Sequence, residues 1–263
     1  MHADSAYVIG AGHEVCQDYA RAAGTHNGEA YAVVSDGCSS SPDTDIGARI
    51  WVLAACGRQP GSPEIHEVAV HGVPRLDPRA LDATLLHLHV ARGVVYCALA
   101  GDGVFAWRER RTGRVAFSHV RYPGNLPWYW NYESDPGRRA VFDQQSTGAE
   151  ILTYAAGLPD EPRSVLQAPL PTGMALAELD IVDVDLVAVM SDGFMSFTGR
   201  TLDGGVQEIP LSVVVDELFQ FKFYKGLFVK RRLRAFLKKV KAAGWIHDDD
   251  LGIAAIYLRD DRA

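Results

Sequence analysis

Asp36 and Asp192 are the two carboxylates whose surroundings are best suited to chemistry. Each stands at the centre of a Ser-Asp-Gly tripeptide that follows an apolar run, 31–34 in one case and 186–190 in the other. Short apolar runs that stop at Asp-Gly are typical of buried strands ending in a tight turn. Both aspartates are therefore predicted to leave the core at a strand end, where a side chain can reach a cleft.

Two more acidic positions lie beside apolar runs. Asp102 stands between two glycines directly after the run 94–100, and the acidic triplet 248–250 directly precedes the run 251–258. Carboxylates gathered at several strand ends repel one another unless a cation neutralises them. Oxygen donors suit Mg²⁺ or Mn²⁺, whereas a zinc site normally recruits His or Cys. The sequence therefore predicts a site for a hard divalent metal.

Strands that could position these carboxylates follow from hydrophobic alternation and turn residues. Four successive strands, expected to form one antiparallel meander, are predicted at 84–90, 94–100, 104–110 and 114–122. Two more, expected to pair with each other, are predicted at 174–181 and 185–190. A dinucleotide-binding βαβ fold would need helices between the meander strands, so this order argues against that fold.

Three helices are predicted, at 46–56, 208–221 and 227–243. The order of strands and helices suits sheets covered on both sides by helices, within a single domain over 1–263. Residues 123–150 break the regularity, and their aromatic residues lie among turn formers. The alternatives for this insertion are a functional loop whose aromatics grip a substrate and an ordered surface excursion pinned by those aromatics.

The composition is that of a globular protein with a real core. The 263 residues are 48% hydrophobic and 22% charged, with a net charge of −7, and we expect neither a nucleic-acid nor a membrane partner. No apolar run reaches the ~18 residues that span a bilayer. The four scattered cysteines suggest reduced thiols, and we expect a cytoplasmic protein.

The acidic motifs, taken in order, have a family resemblance. They are Gln17-Asp18, Asp36-Gly37, Gly101-Asp102, Ser191-Asp192-Gly193 and Asp249-Asp250. In this order and at these spacings they resemble the metal-dependent protein phosphatases of the 2C type, as a divergent, bacterial-like member. The resemblance implies an α+β fold, a four-layer α-β-β-α sandwich with two packed, mainly antiparallel sheets.

The resemblance also implies roles for the catalytic carboxylates. Asp36 would bridge two Mn²⁺ or Mg²⁺ ions, with the Gly37 carbonyl as a further ligand. Asp192 and Asp249 would complete the coordination of one ion, with Asp248 as the alternative to Asp249. The bridged ions would activate a water that attacks the phosphomonoester directly.

Two further aspartates have weaker implied roles in the same site. Asp18 would hold metal-bound water, and Asp102 would serve a third ion.

The chain departs from the family pattern at three positions. Where many members carry a phosphate-binding arginine, this chain has His13, which is either a phosphate or proton-transfer partner or an ordinary surface histidine. Cys38 follows the first Asp-Gly, and its alternatives are a redox-sensitive thiol and a passive turn residue. Gly252 stands where threonine is usual.

Residues 222–241 hold nine of the 26 Lys and Arg residues of the chain. Apolar residues recur among them at helical spacing. The alternatives are a docking face for an acidic partner and the solvated face of a helix packed on the core.

The family resemblance implies a metal-dependent serine/threonine phosphoprotein phosphatase in signalling, with a phosphorylated protein as its partner. One alternative is a catalytically weak, phosphatase-like domain that binds and regulates a partner. Another keeps the metal site and acts on a small phosphorylated metabolite.

Overall fold

Two antiparallel β-sheets packed face to face carry most of the chain in the computed structural model. The structure describes residues 1–25, 27–72, 75–155, 166, 173–201 and 204–259. The strands in chain order are β1 (His2–Val8), β2 (Tyr19–Gly24), β3 (Ala30–Ser35), β4 (Leu85–Ala91), β5 (Val94–Ala100), β6 (Gly103–Glu109), β7 (Val115–Arg121), β8 (Glu150–Ala155), β9 (Met174–Asp180), β10 (Val184–Met190), β11 (Phe197–Arg200), β12 (Val206–Glu208), β13 (Ile246–His247) and β14 (Leu251–Tyr257).

The strands are arranged in two large sheets and one small one. The six-stranded sheet has the order β1-β14-β10-β6-β7-β8, and the five-stranded sheet has the order β2-β3-β4-β5-β9. A small sheet of order β12-β11-β13 lies beside them. All described pairings within these sheets are antiparallel, as expected for the sandwich.

Helices cover the outer faces of both large sheets. They are α1 (Thr44–Ala55), α2 (Pro63–His71), α3 (Pro136–Gln145), α4 (Leu211–Leu218) and α5 (Phe228–Ala242). Helix α1 packs on β2, β3 and β4, while α5 packs on β1 and β14. Every residue of β10 is buried because both faces of this central strand are covered. The predicted α-β-β-α layering is confirmed.

Two hydrophobic clusters fill the layers. One lies between the sheets and under α1, and includes Trp51, Leu86 and Phe105. The other lies between the six-stranded sheet and helices α4 and α5, and includes Phe194, Phe197 and Phe236. No helix within the described ranges is long and apolar enough to cross a membrane.

The prediction of one four-stranded meander is wrong. Strands β4 and β5 belong to the five-stranded sheet, whereas β6 and β7 belong to the six-stranded sheet. The chain crosses between the sheets at Gly101 and Gly103, whose φ angles of 92° and 144° are ones that side-chain-bearing residues rarely adopt. This crossing is what brings Asp102, between the two glycines, to the end of the sandwich.

The predicted pairing of 174–181 with 185–190 is also wrong. Strand β9 pairs with β5, whereas β10 lies between β6 and β14 in the other sheet. The turn between β9 and β10 is a second crossing. Both strands were placed correctly along the chain, but the turn does not show which sheet the chain enters next.

The insertion 123–150 is more ordered than its composition suggests. It contains a 3₁₀ helix (Trp130–Ser134), helix α3 and the start of β8. Trp128 is fully buried, and Trp130 stacks on Trp51 of α1 with ring centroids 5.6 Å apart. These aromatics belong to the core, because large apolar rings gain more from burial than from exposure in a loop.

Candidate functional site

Five aspartates from distant parts of the chain are brought to one end of the packed sheets. Asp36 follows β3, Asp192 follows β10, and Asp249 precedes β14. Asp102 lies in the crossing between β5 and β6, and Asp18 directly precedes β2. Because each strand ends at the same edge of the sandwich, the carboxylates that the sequence predicts to be functional face one another.

The first Ser-Asp-Gly turn is held by the strand beside it. The Ser35 hydroxyl donates to the Thr84 carbonyl at 2.5 Å, and the Asp36 amide donates to the Thr84 hydroxyl at 3.0 Å. The Gly37 amide donates to the Gln17 carbonyl at 3.2 Å, which ties this turn to the segment that carries Asp18. These bonds fix the backbone of Asp36 and leave its carboxylate to face the site.

The second Ser-Asp-Gly turn is held differently. The Ser191 hydroxyl donates to Asp18 Oδ2 at 2.6 Å and accepts from the Gly252 amide at 2.9 Å. Ser191 therefore links the turn after β10 to both Asp18 and β14. The tripeptide alone does not predict the hydrogen bonds of Ser191, because Ser35 begins an identical Ser-Asp-Gly tripeptide and makes different hydrogen bonds.

The carboxylates of the site have raised pKa values, chiefly because they are buried. Burial raises the pKa of Asp36 well above its ordinary value, and the charges of Asp18 and Asp192 raise it further. Burial likewise raises the pKa of Asp18 to about 8, with Asp192 and Asp250 adding to the effect. Acids crowded out of water in this way must either hold protons or be neutralised by a cation.

Asp102 and Asp192 share this environment. Burial raises the pKa of Asp102 to about 8, and the charges of Asp192 and Asp249 add to the shift. Burial, followed by the charge of Asp249, also raises the pKa of Asp192, although a hydrogen bond with Asp36 opposes the shift. The four carboxylates thus form one electrostatically connected cluster, which we call the acidic cluster: Asp18, Asp36, Asp102 and Asp192.

Two oxygens of the acidic cluster are buried without a hydrogen-bond partner among the described residues, Asp18 Oδ1 and Asp192 Oδ1. A buried polar atom that is left unpaired costs about 1–3 kcal/mol, and more when it is charged. Unpaired carboxylate oxygens that face other carboxylates are suited to bind a cation, since a cation would satisfy all of them at once.

The last acidic triplet divides into three different environments. Asp248 is exposed. Asp249 is 37% exposed at its side chain and lies close enough to raise the pKa of Asp36, Asp102 and Asp192. The geometry therefore favours Asp249 over Asp248 as the member that faces the acidic cluster, and its role as a ligand stays a prediction.

Asp250 has a structural role that the sequence did not suggest. Its carboxylate accepts from the Gly10 amide at 2.7 Å and from the Gln17 amide at 2.5 Å, and it is 1% exposed. It therefore ties both ends of the loop 10–17 to the start of β14. The sequence does not predict this structural role of Asp250, because it does not show in which direction each of the three consecutive aspartate side chains points.

His13 lies at the edge of the site. Its Nε2 is 3.6 Å from Asp249 Oδ1, and its Nδ1 is 3.1 Å from Asp250 Oδ2. The side chain is about a quarter exposed, so that it faces both the acidic residues and solvent. His13 thus lies beside Asp249 and Asp250, and both alternatives, a phosphate or proton-transfer partner and an ordinary surface histidine, stay predictions.

Gly252 is required by close packing. A Cβ at this position would lie 2.8 Å from Val34 Cγ1 and 2.9 Å from Asp18 Oδ2. The threonine that is usual in the resembling family would not fit beside Asp18 without a shift. Gly252 therefore makes room for the Asp18 carboxylate.

The donor set fits a hard divalent cation in its chemistry. All members of the acidic cluster offer carboxylate oxygens, which Mg²⁺ and Mn²⁺ prefer, and two of these oxygens are unpaired. Among the described residues, no three His, Cys, Asp or Glu side chains are already grouped closely enough to hold a metal ion. The carboxylate side chains would therefore have to rotate when a divalent cation binds.

A cavity of about 360 Å³ adjoins the turn after β3. Cys38 and Ser40 lie on one side, and Tyr129, Arg138 and Phe142 from the insertion lie on the other. Cys38 Sγ is 3.1 Å from the Ser40 hydroxyl, and its amide donates to the Asp82 carbonyl at 2.8 Å. These contacts do not decide between a redox-sensitive thiol and a passive turn residue for Cys38.

Solved structures similar to this fold are bacterial serine and serine/threonine phosphatases. A bacterial serine phosphatase matches with a TM-score of 0.55 and 11% identity over 100% of both chains. The S. agalactiae serine/threonine phosphatase matches with a TM-score of 0.52 and 13% identity over 98% of this chain and 99% of that chain. Serine/threonine phosphatase Stp1 from Staphylococcus aureus matches with a TM-score of 0.52 and 10% identity over 99% and 96%. No protein-family model matches the chain, and no curated protein matches it.

At these identities the similarity concerns the fold. It covers nearly the whole chain and agrees with the layered arrangement described above. The resemblance predicted from the order of the acidic motifs is therefore confirmed at the level of the fold.

Proposed function

We propose that the protein is a metal-dependent phosphatase acting on phosphoserine or phosphothreonine in proteins. The observation that carries the proposal is the acidic cluster itself, in which burial raises the pKa of all four carboxylates and two buried oxygens have no hydrogen-bond partner among the described residues. The fold shared with bacterial serine/threonine phosphatases supports the choice of reaction. A phosphorylated protein is the proposed partner.

Asp36 would be the central ligand of two Mg²⁺ or Mn²⁺ ions, since the charges of both Asp18 and Asp192 act on its carboxylate. Asp192 and Asp249 would hold one of these ions, and the Gly37 carbonyl would be a further ligand. When bound, the ions would supply the positive charge that activates water and offsets the charge of the phosphoryl oxygens.

The remaining residues of the site would orient groups around that centre. Asp18, fixed by its bond from Ser191, would orient water, and Asp102 would serve a third, weaker ion. His13, beside Asp249, would contact the phosphate or carry a proton to the leaving alkoxide.

The test is hydrolysis of p-nitrophenyl phosphate and of a phosphothreonine peptide with and without Mn²⁺. We expect activity that requires Mn²⁺, disappears in EDTA, and falls by about 10²- to 10³-fold or more in Asp36→Asn and Asp192→Asn. Asp143→Asn, a surface carboxylate paired with Arg139 in helix α3, is the matched control and should retain full activity.

Activity that survives EDTA, or an Asp36→Asn variant as active as the original protein, would contradict this proposal. Circular dichroism of each variant would separate loss of chemistry from loss of fold.

A second function, a phosphatase-like domain that regulates a partner with little turnover, is supported by the lack of an arginine at the position of His13. Isothermal titration calorimetry with Mn²⁺ distinguishes the two. Binding of Mn²⁺ without turnover of any phosphopeptide would favour the regulatory function.

A further inference from the structure

Helix α5 presents a row of cations to solvent. Lys230, Arg234, Lys238 and Lys241 follow one another at intervals of four, four and three residues, and all four are exposed. At 3.6 residues per turn they fall within an arc of about 80° and extend over about 16 Å. We call these four residues the cationic row.

The cationic row differs from its basic neighbours in having no acidic partner. Arg232 and Lys239, on another side of α5, contact Glu217 Oε1 at 2.9 and 2.5 Å. Within the described part of the chain, no carboxylate lies within ion-pair distance of the cationic row. Residues 222–241 contain no Asp or Glu, although the whole chain has a net charge of −7. The positive charge is therefore concentrated and available to a partner.

A cavity of about 400 Å³ lies alongside this helix, and both aromatic and basic side chains line it. Phe223, which is 74% exposed, lines it together with Phe221, Phe228 and Ala235. Arg231, on the edge of the cationic row, borders the same cavity. A partner that lies along α5 would thus meet positive charge on one side and an aromatic recess on the other.

The helix leads towards the acidic cluster. At its beginning, Asp4 in β1 accepts from the amides of Val229 and Lys230 at 2.7 and 3.1 Å, which fixes this end beside the middle of β1. Its C-terminal end continues through β13 to Asp249 at the site. Lys241 is therefore the member of the cationic row nearest to the acidic cluster along the chain, and Lys230 is the farthest.

We propose that the cationic row and the Phe223 cavity together dock an acidic segment of the phosphoprotein substrate that carries a bulky apolar side chain. This proposal rests on the proposed function for the identity of the partner as a substrate. Carboxylates of the segment would contact the cationic row, and the apolar side chain would enter the cavity.

The structure favours a peptide over a membrane or a nucleic acid. The apolar residues of α5 itself, including Phe236 and Val240, are buried in the core, so the helix has no apolar face to insert into a bilayer. A polynucleotide would have to lie on a row of about 16 Å surrounded by a net acidic protein, which would repel its remaining phosphates.

The first experiment measures binding by fluorescence anisotropy, in the presence of EDTA, to an unphosphorylated peptide with a run of Glu and Asp and one Phe. We expect the triple variant Lys230→Glu, Arg234→Glu, Lys238→Glu to bind at least about tenfold more weakly, and added salt to weaken binding by the original protein. The matched control, Arg75→Glu, Arg111→Glu, Arg114→Glu, changes the charge equally at exposed positions elsewhere.

Phe223→Ser tests the cavity. It should weaken binding of the Phe-containing peptide severalfold and leave binding of a Phe→Ser peptide unchanged. Equal binding of both peptides by the original protein would overturn the cavity part of the proposal.

The second experiment measures hydrolysis of the acidic peptide extended by a phosphothreonine. The triple variant should raise KM for this peptide about tenfold and leave hydrolysis of p-nitrophenyl phosphate unchanged, because the small ester does not reach α5. If the peptide binds but is not hydrolysed, the proposed function fails and the docking surface stands.

Equal affinity of the triple variant and the original protein would overturn the docking proposal even if hydrolysis is normal. Tighter binding to a DNA oligonucleotide or to phosphatidylserine vesicles than to the acidic peptide would overturn it as well.

Discussion

Asp82 and Asp18 are both buried, yet they are neutralised in opposite ways. Asp82 is 1% exposed and accepts from both terminal nitrogens of Arg138, at 2.8 and 2.6 Å. Ser41 and Asn131 donate to the same carboxylate at 2.7 and 3.2 Å. This carboxylate therefore has a permanent cation and a full set of donors, which fasten the insertion to the turn after β3.

Asp18 is 2% exposed, but no cation lies beside it among the residues that the structure describes. It accepts from Ser191 at 2.6 Å, while its Oδ1 lacks a partner and its other close neighbours are carboxyl groups. Asp82 is thus a carboxylate that stabilises the fold, whereas Asp18 is available to bind an exchangeable ligand. The two are almost equally buried, and they differ only in the donors and charges that surround them.

The largest effect on the stability of the fold is expected when Asp82 loses the cation beside it. Arg138→Met should destabilise the fold by about 3–5 kcal/mol, because it leaves a buried carboxylate without its partner. Urea denaturation followed by fluorescence measures the change.

Arg121→Met is the control for this substitution. Arg121 pairs with Glu150 at 2.6 Å, but both side chains are about half exposed, so we expect a change of only about 0–1 kcal/mol. Equal effects of the two substitutions would show that the Asp82 pair is no more important than a surface ion pair.

An intermediate effect is expected at the acidic cluster when pH and metal are varied. The pKa of Asp18 and that of Asp102 are raised to about 8, so the folded state holds protons that the unfolded state releases above about pH 4. In EDTA the free energy of unfolding should therefore fall as pH rises towards 8. Thermal denaturation from pH 6.5 to 8.5 measures this fall.

Mn²⁺ should reverse the fall, because it neutralises the carboxylates without protons. At 100 times its dissociation constant it would add about 2.7 kcal/mol, or roughly 5–10 °C in Tm for a chain of this size. Asp18→Asn should flatten the pH dependence in EDTA. A Tm that changes with neither pH nor Mn²⁺ between pH 6.5 and 8.5 would contradict this description of the acidic cluster.

A buried histidine, His87, is the reason for starting the thermal denaturation series at pH 6.5. Burial lowers the pKa of His87 to about 3, so this ring is neutral in the folded state and binds a proton on unfolding below about pH 6.5. Its contribution to stability is lost as pH falls from 6.5 towards 3, which is the opposite trend. Above pH 6.5 His87 is neutral in both states, so it does not oppose the fall in stability expected from the acidic cluster.

The smallest effect is expected from packing beside Asp18. Gly252→Ala should destabilise the fold by about 1–2 kcal/mol, because its Cβ would lie within 3 Å of both Val34 and Asp18. Gly24→Ala is the control, since its nearest contact would be a carbonyl at 3.9 Å. Equal Tm values for the two variants would mean that Asp18 is less tightly enclosed than the structure shows.

The sequence by itself determined where most strands and helices lie and that two aspartates stand at strand ends. Asp-Gly after a short apolar run marks a strand end, and this local signal is enough to place Asp36 after β3 and Asp192 after β10. Helix α1 and helix α5 were expected within a few residues of their observed bounds, because their apolar periodicity is also local.

Only the tertiary structure decided how those elements combine. The crossing at Asp102 and the separation of β9 from β10 depend on pairings between distant strands, which short apolar runs with similar turns cannot specify. Trp130 is a core residue because it stacks on Trp51 of α1, and Trp128 lies in the same hydrophobic cluster.

The same holds for the charge on each buried carboxylate. Nothing near Asp82 in the sequence indicates that Arg138, 56 residues later, supplies its cation. Nothing near Asp18 indicates that its neighbours are other acids and the hydroxyl of Ser191, 173 residues away. A residue type and its local pattern are properties of the sequence, whereas the electrostatic environment that decides its chemistry comes from partners that only folding brings into contact.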